Sequence, residues 1–65
     1  MGGDGARPLV GEWVFLLPHV LPSLPDRVGW VSGYCDWSDA VSLVRVGGID
    51  YFLWPDELAP APGPA

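Results

Sequence analysis

Few side chains in this sequence have the types and spacing that chemistry needs. His19 stands between Pro18 and Val20, Cys35 precedes Asp36-Trp37-Ser38-Asp39, and Asp56-Glu57 follow Pro55. A nucleophilic Cys–His pair requires a third group to orient the base and an oxyanion site. The spacing of His19 and Cys35 suggests neither, so His19 reads as structural or solvent-exposed. A reactive thiolate needs electropositive surroundings, whereas Cys35 is followed by Asp36, so it reads as a turn residue. A calcium loop needs several oxygens at set spacing and usually a glycine. The stretch from Asp36 to Asp39 is more simply a turn that Asp and Ser close onto their own backbone. Asp56 and Glu57 suit the first turn of a 3₁₀ element, and Glu12 begins a strand. Gly2, Gly3 and Gly5 precede no strand–helix unit that could cradle a phosphate. The expectation is a non-enzymatic protein with no catalytic residues, no cofactor and no metal.

Composition narrows the partners. The net charge is −5, from eight acids against three arginines, Arg7, Arg27 and Arg45. Binding a phosphate backbone requires clustered Lys or Arg, so no direct nucleic-acid binding is expected, and anionic membranes are disfavoured for the same reason. No apolar run approaches the roughly 20 residues that cross a bilayer, and the first residues have no basic-then-apolar leader pattern. Lys, Asn, Gln and Thr are absent, while Gly, Ala, Pro, Val, Leu, Asp and Arg dominate. That bias points to GC-rich codons. The expected setting is the cytoplasm of a high-GC bacterium, or the virion of a phage that infects one.

At 65 residues the chain makes one small domain. Such a domain buries only about 60% of the surface its unfolded chain exposes and usually needs a disulfide, a metal or association. One cysteine and one histidine leave association. Four Trp, two Tyr and two Phe exceed the interior places of so small a domain, so some must face outward.

The elements that would position these residues are short. Residues 1–8 read as a flexible Gly-rich arm. Residues 59–65, Ala-Pro-Ala-Pro-Gly-Pro-Ala, read as a flexible tail unable to pair in a sheet. Between them, strands are expected at 12–17, 28–34, 40–46 and 49–54. A long loop over 18–27 contains Pro18, Pro22 and Pro25, and Gly47-Gly48 form a tight hairpin turn. A 3₁₀ turn at Pro55–Leu58 precedes a very short last strand. Short strands at this spacing indicate an all-β fold, and about 50 folded residues fit only a small barrel.

Val10-Gly11-Glu12-Trp13-Val14, Arg27-Val28-Gly29-Trp30-Val31, Leu43-Val44-Arg45-Val46-Gly47-Gly48 and Tyr51-Phe52-Leu53-Trp54-Pro55-Asp56-Glu57-Leu58 together resemble the layout of SH3-like small β-barrels. The resemblance covers about Val10 to Leu58. It implies a barrel of about five strands and leaves function open, because such barrels serve as peptide binders, enzyme subunits, nucleic-acid binders and virion parts.

A two-residue Gly47-Gly48 turn sets Val46 opposite Ile49, Arg45 opposite Asp50, Val44 opposite Tyr51 and Leu43 opposite Phe52. Alternation then places Val44, Val46, Ile49, Tyr51 and Leu53 on an inner face. Val41, Leu43, Arg45, Asp50, Phe52 and Trp54 fall on an outer face marked by the Arg45–Asp50 ion pair. On the preceding strand Gly29, Val31 and Gly33 point inward, and Trp30 and Tyr34 point outward. Trp30, Tyr34, Leu43, Phe52 and Trp54 are therefore the candidate protein-binding residues, for a protein partner or for self-association. In the competing account, the 18–27 loop, with Val20, Leu21 and Leu24, folds over this face. Expected roles are an interaction or assembly module, a small regulator that binds one host protein as an acidic nucleic-acid mimic, or an accessory subunit of an enzyme.

Overall fold

A computed structural model describes residues 7–63. It is all-β: strands β1 (Trp13–Leu16), β2 (Val28–Tyr34), β3 (Ser42–Val46), β4 (Ile49–Leu53) and β5 (Leu58–Pro60), with one 3₁₀ turn at Pro55–Glu57 between β4 and β5. All pairings are antiparallel, in the order β4-β3-β2-β1-β5. The two edge strands, β4 and β5, are joined only by Trp54 and the 3₁₀ turn. So short a link requires the sheet to curl until its edges approach.

Local chemistry accounts for the turns. Gly47 and Gly48 have φ of 61° and 84°, the left-handed pair that a two-residue hairpin needs. The register it sets is the expected one, from Val46–Ile49 through Arg45–Asp50 and Val44–Tyr51 to Leu43–Phe52. Before β1, Gly11 at φ 92° lets the chain reverse from Leu9 to Glu12. There Glu12 N donates to Leu9 O at 2.9 Å, and the Glu12 carboxylate accepts from Leu9 N at 2.8 Å.

The core lies on one face of the curled sheet. Val14 and Leu16 of β1, Val31 of β2, Val44 and Val46 of β3 and Leu53 of β4 are buried together with Val20 of the long loop. Leu21 and Leu24 pack against the same cluster. The loop thus closes the inner face and does not fold over the outer one. Arg27 holds it there: Nη1 donates to Leu21 O at 2.6 Å, and Nη2 donates to Leu17 O at 2.7 Å and Val20 O at 2.6 Å. One guanidinium gathers three carbonyls that the irregular, proline-rich backbone leaves without strand partners.

Several expectations need correction. A register shift between Val31 and Gly33 marks a β-bulge. The extra residue reverses the inside–outside phase of the rest of β2. Gly33 therefore opposes Leu43 on the outer face, and Tyr34 opposes Ser42 on the buried one. Val41, expected outside, is buried, because it precedes β3 and is folded into the turn before it. Its N–H donates to Ser38 Oγ at 3.3 Å, and its carbonyl accepts from Arg7 at 3.4 Å. Ile49 has the expected inner phase but lies beyond the core at the hairpin tip, and it is exposed.

The described residues at the two ends contact the sheet. Arg7 and Pro8 make contacts: the Arg7 guanidinium lies 3.9 Å over the Tyr34 ring, and the Tyr34 hydroxyl donates to Pro8 O at 2.7 Å. Residues 1–6 of the expected arm fall outside the described residues. At the other end, Ala59 and Pro60 pair with Phe15 and Val14, and Ala61 N donates to Trp13 O at 3.1 Å. Pro60 is tolerated because β5 is an edge strand, where a missing N–H leaves no ladder bond unmade. Positions 64 and 65 of the expected tail lie outside the described residues.

Candidate interaction face

The outer face of the meander is built in rows across the sheet. One row runs Trp30, Arg45, Asp50, and the next runs Gly33, Leu43, Phe52. In the first row Arg45 Nε donates to Asp50 Oδ1 at 3.0 Å and Nη2 to Oδ2 at 3.3 Å, a two-point pair on an open surface. The bond from Arg45 holds the Asp50 carboxyl below the usual carboxylate range, and the same bond raises Arg45. Ser32, the bulge residue, leans over this row, with its Oγ 3.2 Å from Leu43 O and 3.3 Å from Asp50 Oδ1. A polar seam therefore separates Trp30 from the apolar row below.

That lower row is the most exposed apolar ground on the face. Phe52 is 55% exposed and Leu43 half-buried. Trp37, 65% exposed, extends from the turn before β3 and lies against Phe52, with ring centroids 5.6 Å apart and planes inclined at 59°. This is the tilted geometry that aromatic pairs favour. The turn is fixed by Ser38, whose Oγ accepts from Ala40 N at 3.1 Å as well as from Val41 N. The half-buried Cys35 thiol points at the Ser38 and Val41 carbonyls, 3.5 and 3.7 Å away.

Of the five candidate residues, the structure places Leu43 and Phe52 directly opposite one another and Trp30 one row away on the same face. It does not bring Tyr34 to them: the bulge turns Tyr34 toward Arg7 and Pro8. Trp54 lies past the end of β4, where its backbone N–H donates to the Glu57 carboxylate at 2.8 Å. Its ring borders an open groove with His19, Ala40 and the 3₁₀ turn. Sequence reasoning misses Trp37, because it lies in a turn where no periodicity orients it. Trp13 and Phe15 also belong to the outer face: Val14 and Leu16 are buried, and Trp13 opposes Trp30. The alternation in Trp13-Val14-Phe15-Leu16 carries that signal.

Among the described residues, no group of three His, Cys, Asp or Glu is placed to hold a metal ion, and no helix is long and apolar enough to cross a membrane. No family model, curated protein or solved structure matches the chain.

Proposed function

We propose that this chain is a non-enzymatic protein–protein interaction or assembly module, built on an SH3-like barrel and working through the outer face of its meander. The observation that carries this reading is the Trp37–Phe52 pair beside Leu43: both rings are more than half exposed, while the long loop packs against the opposite face. Exposed aromatic clusters on a rigid sheet are the usual anchors of interfaces. The SH3-like assignment is supported by the pairing of first and last strands around a three-strand meander, with the long loop after β1 and the 3₁₀ turn before β5. The composition supports a small structural or accessory protein of a phage of a high-GC bacterium. The test is titration of a purified partner, or of the chain against itself, with wild type and with Trp37→Ala and Phe52→Ala. Affinity is expected to fall at least ~10-fold with stability lowered by about 1 kcal/mol at most. Equal affinity for both variants would overturn the proposal.

A further inference from the structure

The two edges of the sheet are not equivalent. On β5, Ala59 lies opposite Phe15 and Ala61 N donates to Trp13 O, so Leu58 and Pro60 present their backbones to the open side. Pro60 has no N–H, and Leu58 N–H is already spent on Pro55 O. The outward side of β5 therefore offers no free donor. On β4 the case is reversed. In a two-residue hairpin the residues flanking the turn exchange both backbone bonds, and the pattern then alternates. Ile49, Tyr51 and Leu53 thus bond to β3, and Asp50 and Phe52 turn their N–H and C=O groups away from it. Among the described residues, no other backbone or side-chain group bonds to the backbone of Asp50 or Phe52. A charge on an edge strand commonly blocks pairing, but the one on β4, Asp50, is engaged by Arg45 of the neighbouring strand.

We infer that the open β4 edge pairs with β4 of a second copy, forming an antiparallel dimer about a two-fold axis at Tyr51. In that register Asp50 of one copy lies opposite Phe52 of the other, and each such pair exchanges both outward backbone bonds. Tyr51 meets Tyr51, and Ile49, exposed in the single chain, meets Leu53. A register centred on Asp50 would set the two Asp50 carboxylates against each other, and one centred on Phe52 would call on the Trp54 backbone N–H, already donated to Glu57, which leaves the Tyr51 axis. The closed β5 edge stops growth, which makes the product a dimer and not a filament. A second copy is also the staple that a chain of 65 residues with a single cysteine otherwise lacks.

The experiment combines sedimentation with amide hydrogen exchange on the full chain across a roughly hundredfold dilution. The expected result is a concentration-dependent dimer in which the Asp50 and Phe52 amides exchange at least ~10-fold more slowly than in the dilute monomer. Asp50→Pro, which removes an outward N–H without touching the β3 ladder, should remain monomeric, and Asp50→Asn, which keeps it, should dimerise. If Asp50→Pro does not fold, the wild-type exchange pattern decides alone. A monomer at every concentration, or a dimer whose Asp50 and Phe52 amides stay unprotected, overturns the inference. Because the readout is the edge backbone, it is separate from partner binding by the Trp37–Phe52 face.

Discussion

Arg27 Nη1 donates to the Leu21 carbonyl at 2.6 Å, and Leu21 is the one non-glycine residue with positive φ among the described residues, at 43°. A leucine in that region is strained, so something must hold it. The same guanidinium binds the Leu17 and Val20 carbonyls, and Val20 is a buried member of the core. Arg27 therefore couples an irregular loop to the packing of the sheet. Bonds to a charged donor contribute about 1.5–3 kcal/mol each when the acceptors are withdrawn from water. Arg27→Ala is expected to cost about 3 kcal/mol in urea denaturation, much of the stability of so small a domain. Arg27→Lys should recover only part of it, since an ammonium cannot reproduce the planar fork. A loss under about 0.5 kcal/mol for Arg27→Ala would show that the clamp is idle.

Gly29 and Gly33 both lie on β2 and should respond oppositely to alanine. A Cβ on Gly29 would stand 2.5 Å from Arg45 O and 2.6 Å from Val46 Cγ2, so β3 would have to move. One on Gly33 meets nothing within 4 Å. Gly29→Ala should lower stability by about 1–3 kcal/mol, and Gly33→Ala should be near neutral. Thermal unfolding of the two variants side by side checks this, and equal melting temperatures would refute it.

Ser42 is buried at the end of β3 with no hydrogen-bond partner for its Oγ. A buried hydroxyl left unpaired carries a desolvation cost of about 1–3 kcal/mol. Ser42→Ala is therefore expected to leave stability unchanged or raise it by about 1 kcal/mol. A clear loss of stability in chemical denaturation would mean that the hydroxyl has a partner in solution.

The fold is legible where short-range chemistry decides it. Gly47-Gly48 dictates the β3–β4 register through backbone conformation alone, and Arg45 opposite Asp50 comes with it. Tyr34 is misplaced by alternation because the bulge at Ser32 has no local mark: Val28 to Tyr34 alternates evenly as written, and only pairing with β3 reveals the extra residue. The same alternation carries Trp54 past the end of its strand. Ala59 and Pro60 read as tail because proline is costly inside a sheet, yet at an edge that cost vanishes. The role of Arg27 depends on three carbonyls brought together by the tertiary fold, which spacing cannot show.

The Arg45–Asp50 pair makes a signed prediction about acid. Asp50 is held below the usual carboxylate range by its bond to Arg45. A carboxyl depressed in the folded state adds stability that is fully present above its unfolded value, near pH 3.9, and is lost as pH falls through its lower folded value. Stability should therefore decline below about pH 4, less steeply in Asp50→Asn than in wild type. The difference is small, because the pair is exposed, and added salt should shrink it further. An Asp50 carboxyl that titrates by NMR at or above the ordinary aspartate range would contradict the bonded geometry.

The outer aromatic row and the core beneath it should separate in a paired measurement. Val44 is fully buried at the centre of the cluster, so Val44→Ala removes methyls from a packed site and should cost about 2 kcal/mol or more. Trp37 is 65% exposed, and among the described residues the one aromatic ring paired with it is Phe52. Trp37→Ala should lower stability by about 1 kcal/mol at most, the contribution of a single aromatic contact. Binding should respond in the reverse order: Trp37→Ala and Phe52→Ala weaken association strongly, and Val44→Ala weakens it only through the fraction unfolded. The measurements are thermal melts and titration of a purified partner, with each affinity corrected for the folded population. Trp37 also reports its own surroundings, since an indole covered by a partner shifts its fluorescence to the blue. If Trp37→Ala melts as low as Val44→Ala while association per folded molecule is unchanged, the exposed row is packing for the turn before β3 and not a docking surface.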